Sequence, residues 1–288
     1  MGYSKTMTAH ISSPPARQAI WRHLPPAFRI LLAMTLAALG FSPAGIAVRA
    51  GEAPALVACA SSMRFAMEEL ASAFRASSGG EMRIAYGSSG NFARQIMQGA
   101  PFELFVAADS IYAGRIAEAG LALDAGKAYA QGRLALFVPK GSPLKPDASL
   151  SDLGKAIADG RLKRFAIASP EHAPYGQAAR EALESAGLWD KIGPYLVLGE
   201  NVAQAAQFAS AGSAQGGIIA YSLALAPDMA RRGNFVLLPG GSHRPLRHLA
   251  VLTRRAGATA RAFYDFLTTE PARAIMARHG FGSPQGAD

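Results

Sequence analysis

Four short segments of the chain hold the residue types that can grip an anion: Ala60-Ser61-Ser62, Gly87-Ser88-Ser89-Gly90, Ala173-Pro174-Tyr175-Gly176 and Glu200-Asn201-Val202. Each lies where an apolar run gives way to a helical pattern, so each is predicted to begin a helix. The first turn of a helix presents backbone N–H groups without intrahelical partners and a partial positive charge, which together attract anions. None of the four segments contains Lys or Arg. The donors on offer are therefore neutral: the Ser61 and Ser89 hydroxyls and backbone amides. Such a set suits a fully ionised tetrahedral oxyanion, which accepts hydrogen bonds and donates none. A protonated phosphate would also call for an acidic acceptor within the cage, and none is assigned there. Taken singly, each serine reads more readily as an N-cap contributing about 1 kcal/mol than as a ligand site. The glycines at 87 and 90 sharpen the second segment, because they let a ligand approach the backbone closely. It is the recurrence of the pattern that points to a ligand.

The elements that must position these segments follow from the periodicity. Residues 56–60 read as a buried strand, and Met63, Met67, Leu70 and Phe74 then recur at helical spacing up to a stop at Gly79-Gly80. Strands at 82–86 and 104–107 and helices at 91–98 and 111–119 complete three βα units, which imply a parallel sheet covered on both faces. The series restarts with a strand at 133–138, a helix at 150–158, a strand at 165–168 and a helix at 175–186. A strand at 196–198, a helix from Val202, and strands at 217–221 and 235–238 continue it. A strand at 248–253 and helices at 258–268 and 271–278 come last. The fold class is thus α/β in two lobes, each a mainly parallel sheet flanked by helices. Lobe 1 is assigned to 51–132 plus 249–288 and lobe 2 to 133–248, so the chain crosses twice between them and makes a hinge. Parallel sheets gather strand-to-helix junctions at the carboxyl ends of their strands. Two lobes facing each other would aim all four segments at one small volume.

Charge and composition exclude several classes. The net charge of +9 invites a nucleic-acid reading, but five of the 29 basic residues fall in residues 1–50, which hold no Asp or Glu. The remainder, with 24 basic against 20 acidic residues, is nearly balanced and shows no basic run interleaved with aromatics, so no nucleic-acid partner is expected. Arg17, Arg22 and Arg29 precede an apolar run of about twelve residues, too short to span a membrane and right for a secretory signal. Small residues follow, with cleavage after Ala47 or Ala50 favoured over retention as an anchor, and a start at Met7 is an alternative. Residues 1–50 are therefore read as a signal peptide and the protein as periplasmic. A single cysteine, Cys59, excludes an internal disulfide and a multi-cysteine metal site. It lies inside an apolar run and reads as a buried, inert thiol.

At these same segments the sequence resembles the periplasmic molybdate-binding proteins of ABC importers, within the type II periplasmic binding proteins. The matching stretches are residues 57–62, 86–96, 98–105 and 107–109, then 169–176, 200–202, 262–267 and 279–281, and the likeness runs over residues 55–282. The resemblance implies a two-lobed, hinge-closing binding protein, a monomer without a cofactor, that delivers molybdate or tungstate to a membrane permease. It implies that Ser61 and Ser89 each give a hydroxyl and a backbone N–H, that Tyr175 and Val202 give backbone N–H, and that Ser62 is a further donor. Molybdenum enters only as the oxyanion, with no direct protein–metal bond and no catalytic residue. Some members add a tyrosine hydroxyl from the segment matching 217–222; here that position is Ala220, and Tyr221 follows one residue later, so Tyr221 is left out of the site. Glu171 and His172 are expected to shape the Pro174-Tyr175 turn, and His243 and His248 lack metal-ligand spacing.

Other functions remain to be weighed against this one. An exported hydrolase with Ser61 or Ser89 as nucleophile would need an activating base, and neither segment matches the G-x-S-x-G elbow. A ligand-sensing regulator of the same fold would need a DNA-binding segment where the secretory pattern stands. The same fold could equally take sulfate or another tetrahedral oxyanion, since sulfate and molybdate differ in size and not in charge.

Overall fold

In the first lobe strand and helix alternate. The order is β1 (Ala55–Ala60), a 3-10 turn (Ser61–Met63) running into α1 (Arg64–Ser78), β2 (Met82–Gly87), α2 (Ser89–Met97), β3 (Leu104–Ala107) and α3 (Ser110–Glu118). These elements come from a computed structural model that describes residues 53–284; the signal peptide expected over residues 1–50 lies outside them. β1 shows why its sequence makes a two-sided strand. Ala55, Val57 and Cys59 enter one apolar core with Met67, Leu70 and Phe74 of α1. Ala58 faces the opposite way, into a second core with Phe92 and Ile96 of α2 and Ile116 of α3. That is the period-2 alternation of a strand covered on both faces. Helix α1 stops at Gly79, whose φ of 71° is the left-handed conformation that terminates helices.

The chain leaves this sheet through β4 (Lys127–Gly132) and enters the second at β5 (Leu134–Pro139). There follow α4 (Ser151–Ala158), β6 (Phe165–Ala168), α5 (Pro174–Ser185), α6 (Trp189–Ile192), β7 (Leu196–Gly199), α7 (Val202–Ser210) and β8 (Gly217–Ala220). Two short helices, α8 (Tyr221–Ala224) and α9 (Pro227–Arg232), precede β9 (Gly233–Leu237). β10 (Leu246–Leu252) then returns to the first sheet, and α10 (Ala258–Phe266) and α11 (Glu270–Arg278) end the described chain. Phe263 of α10 and Met276 of α11 lie in the same core as α1. His279 and Arg278 both reach Glu69 on α1, fastening the end of the chain to its start.

The two-lobed α/β architecture is the expected one, but the sheets are mixed rather than mainly parallel. Their orders are β2-β1-β3-β10-β4 and β7-β6-β8-β5-β9. In each, one trio is parallel (β2-β1-β3 and β7-β6-β8) and the pairings beyond it are antiparallel. The physical reason is connectivity. The parallel strands are joined by helical crossovers, whereas β4, β5, β9 and β10 are the strands by which the chain passes between sheets, and these need no crossover helix. The same ordering recurs in both sheets without a visible sequence repeat. β4 escapes sequence-level reading because Lys-Ala-Tyr-Ala-Gln-Gly has no β-branched residue; pairing with β10 makes it a strand. Cys59 is fully buried in β1, and burial pushes its thiol well above the usual range, which leaves it unreactive.

Candidate functional site

Four helix starts meet at one small cavity between the two sheets, of about 10 Å³. The 3-10 turn after β1 brings Ser61 and Ser62, and α2 after β2 brings Ser89. From the second lobe, α5 after β6 brings Tyr175, and α7 after β7 brings Val202. All five line the cavity, together with Ala60, Gly87, Ser88, Ala108, Ala173 and Pro174. No lining residue is a Lys, Arg, Asp, Glu or His. Among the described residues, no three His, Cys, Asp or Glu side chains converge to hold a metal.

The caps explain which donors each helix leaves over. Helix α2 is capped by Ser88, whose hydroxyl accepts from Asn91 N at 3.3 Å, so Ser89 is not the cap but the first helical residue. The Asn201 side chain accepts from Ala203 and Gln204 N, which leaves Val202 as first residue of α7. Ala60 and Ala173, the caps of the other two helix starts, have no side chain that could satisfy an N–H. An N–H in the first turn has no partner within its own helix. None of the loop and cap hydrogen bonds uses the N–H of Ser61, Ser89, Tyr175 or Val202. The hydroxyls are arranged in the same sense. Ser89 Oγ accepts from Ala108 N at 3.0 Å, which leaves its proton to donate elsewhere. Ser62 Oγ is buried without a hydrogen-bond partner, and the Tyr175 hydroxyl approaches it without meeting hydrogen-bond geometry.

Hydrogen bonds also cross directly from lobe to lobe around the cavity. Gly90 N donates to His172 O at 2.9 Å, Ala203 N to Ser61 Oγ at 3.3 Å, and Asn91 Nδ2 to Glu200 Oε1 at 2.9 Å. The Tyr112 hydroxyl donates to Glu171 O at 3.2 Å, and Ser222 Oγ to Ser62 O at 2.8 Å. The structure is therefore a closed one. Gly90 permits the tightest approach: a Cβ there would stand 2.5 Å from His172 O and 2.8 Å from the Tyr112 ring. The carbonyl groups of Glu171 and His172 accept across the cleft, from Tyr112 and Gly90, and not within the Pro174-Tyr175 turn. His172 Nδ1 also lies 3.3 Å from Ser88 Oγ, the one serine–histidine contact at the rim, where the hydroxyl is engaged as a cap. Tyr221 does not line the cavity; its ring packs edge-on against Phe235, with centroids 5.8 Å apart. Of the crossing partners, Gly90 and Glu200 lie in segments singled out in the sequence, Gly90 as a glycine that permits close backbone approach, whereas Tyr112 and Ser222 gave no signal there.

The chain matches the family model of bacterial extracellular solute-binding proteins over residues 55–282. It is 33% identical to the molybdate-binding protein ModA of Rhodobacter capsulatus over 240 residues, covering 82% of this chain and 91% of that protein. It is also 33% identical to the molybdate-binding protein ModA of Escherichia coli K12 over 249 residues, covering 85% and 95% respectively. Among solved structures, the periplasmic molybdate-binding protein of Azotobacter vinelandii superimposes with a TM-score of 0.71 at 29% identity, over 80% of this chain and all of that one.

One ionisable group stands just behind the cavity. Asp109 follows Ala108 and caps α3, its Oδ1 accepting from Tyr112 N at 3.1 Å, while its Oδ2 is buried without a partner. Burial pushes this carboxyl up to about 6, against the opposing pull of the Tyr112 N–H and of Arg115 and Arg244. A carboxyl whose folded value is raised contributes stability below its unfolded value near 4, and loses it as the pH rises through about 6. Asp109→Asn keeps the cap and removes the buried charge. It is expected to raise the melting temperature at pH 7.5, with the gain shrinking as the pH falls from 6 towards 4. An equal shift at both ends of that range would show that the carboxyl is not ionised at a cost.

Proposed function

We propose that this chain, which belongs to the family of bacterial extracellular solute-binding proteins, captures molybdate or tungstate between its lobes and hands it to the membrane permease of an ABC importer. It does so outside the cytoplasm, as a monomer, and without a cofactor or a chemical step. Ser61 and Ser89 give hydroxyl and backbone N–H, Tyr175 and Val202 give backbone N–H, and Ser62 adds its hydroxyl. The lobes turn about the two chain crossings, and because β10 pairs in the first sheet from Leu246 onward, the second lobe ends before residue 246 and not at 248. The observation that carries the reading is the cavity lining: hydroxyls and helix starts from both lobes, and no charged side chain.

The physical logic is that of a dianion held without a counter-ion. Four helix starts supply partial positive charge and donors fixed in direction, so little reorganisation is needed on binding. Because donors come from both lobes, the anion is fully coordinated only when the cleft is shut, and its binding energy is spent in part on closure. Phosphate that keeps one proton meets no dedicated acceptor among the lining side chains. Sulfate presents the same charge and shape as molybdate in a smaller body, so discrimination between the two rests on how far the lobes close.

Two experiments test this reading. Calorimetric titration of residues 51–288 with molybdate, tungstate, sulfate and phosphate is expected to give tight binding for the first two alone. Ser89→Ala is expected to weaken that binding by about 1.5–3 kcal/mol, the range for a hydrogen bond to a charged group. Tight sulfate binding with weak molybdate binding would keep the cage and replace the ligand; unchanged affinity in Ser89→Ala would remove Ser89 from it. Separately, Gly90→Ala places a methyl group against the His172 backbone. It is expected to lower molybdate affinity at least about tenfold, with a smaller effect on the ligand-free melting point, since opening relieves the clash with the His172 backbone and leaves only the Tyr112 ring, in the same lobe, to shift. Wild-type affinity in that variant would show that closure does not bring these backbones together.

A further inference from the structure

Tyr175 is placed in the cage for its backbone N–H, a donor that any residue but proline could supply. Its side chain does something else. It reaches across to the first lobe, where its hydroxyl lies 3.3 Å from Nε2 of His248 on β10. The other ring nitrogen, Nδ1, lies 3.0 Å from the Tyr129 hydroxyl on β4, and that hydroxyl donates to Ala107 O at 3.2 Å. All three contacts can be hydrogen bonds at once in only one direction. Ala107 O only accepts, so Tyr129 donates to it and accepts from His248 Nδ1–H. His248 Nε2 is then an acceptor, and Tyr175 donates to it. Every group is satisfied by one neutral tautomer.

The surroundings are shaped to this chain. His248 is fully buried, edge-on to the rings of Tyr129, Tyr175 and Phe281 at 5.6, 6.0 and 5.2 Å. The β10–β4 register shifts between His248 and Leu249, a bulge of the kind that re-aims a side chain. Gly132, the last residue before the chain crosses to the second lobe, leaves the space open. A Cβ there would stand 2.2 Å from the Tyr175 hydroxyl and 2.9 Å from His248 Nε2. Burial holds His248 down to about 3 and both tyrosines up, so all three stay neutral across the physiological range.

We propose that His248 is a positioning residue for the ligand: through the chain Tyr175–His248–Tyr129–Ala107 it ties the start of α5, and with it the Tyr175 N–H, to the first lobe in the closed state. The Tyr175–His248 contact joins a residue of the second lobe to one of the first, and in this proposal it forms on closure and breaks on opening. Its effect belongs in the dissociation rate of the ligand, not in encounter. This inference rests on the oxyanion-binding reading for its ligand but not for its chemistry.

Tyr175→Phe deletes the hydroxyl and keeps both ring and backbone donor. It is expected to weaken molybdate binding about 5- to 100-fold, the range for an unpaired buried polar group, with the change in the dissociation rate. His248→Phe is expected to do the same, and the double variant to be no worse than the weaker single one, because both cut one chain. His248→Gln, whose amide offers an NH2 donor group and a carbonyl acceptor, is expected to recover most of the loss. A Tyr175→Phe protein with wild-type affinity and dissociation rate overturns the proposal, as does additivity of the two Phe variants. Nitrogen-15 NMR of the wild-type imidazole gives a readout independent of any ligand. Protonation at Nδ1 alone is expected, and an Nε2–H tautomer or a charged ring contradicts the tether. If the wild-type protein binds none of the four anions, the functional reading fails, while the NMR result still decides the tether.

Discussion

A helix cannot pair the N–H groups of its own first turn, and the cleft of this protein is built on that constraint. Each of the four cleft helix starts follows the carboxyl end of a parallel strand, so sheet geometry alone brings them to one edge of each lobe. The caps then decide which donors stay available. Ser88 and Asn201 each satisfy an N–H deeper in the turn and leave the first one over, while Ala60 and Ala173 satisfy none by side chain. The result is a set of fixed, neutral donors facing one another across a gap. Charge complementarity through Lys or Arg would attract anions of any shape, whereas donors of fixed direction favour one geometry.

Closure follows from the same arrangement. The hydrogen bonds that cross the cleft use atoms within a residue or two of the helix starts: Ser61 Oγ with Ala203 N, Gly90 N with His172 O, Asn91 with Glu200. The elements that hold the ligand are therefore the elements that hold the lobes, and the two functions cannot be separated by a single side chain. The hinge sits where the sheets stop being parallel. β4 passes into β5 through Gly132 and Arg133, and β9 returns to β10 over residues 238–245. These few connecting residues leave the cores of the two lobes free to move as bodies.

Much of this was legible in the sequence because it is local. An apolar run followed by Ser, Gly or Asn and then a helical stripe marks a strand-to-helix junction, and Ser61, Ser62, Ser89, Tyr175 and Val202 were all found that way or through the family resemblance. What the sequence withheld is long-range. β4 exists only through its pairing with β10, more than a hundred residues later. His248 and Tyr129 are 119 residues apart, Tyr175 and His248 are 73 apart, and no spacing rule joins them. Nothing in the sequence marks Asp109 as buried, and only the fold covers its second oxygen. The mixed character of the sheets hid for a related reason: strands of either direction have the same apolar pattern when both faces are covered.

The most direct test is a crystal structure of residues 51–288 with molybdate bound. The oxyanion should lie between the lobes with its oxygens about 2.7–3.1 Å from the Ser61 and Ser89 hydroxyls and from the N–H groups of Tyr175 and Val202, the ordinary hydrogen-bond range. No Lys or Arg should reach it. An anion held by a cationic side chain, or coordinated from one lobe while the cleft stays open, would contradict the neutral two-lobed cage.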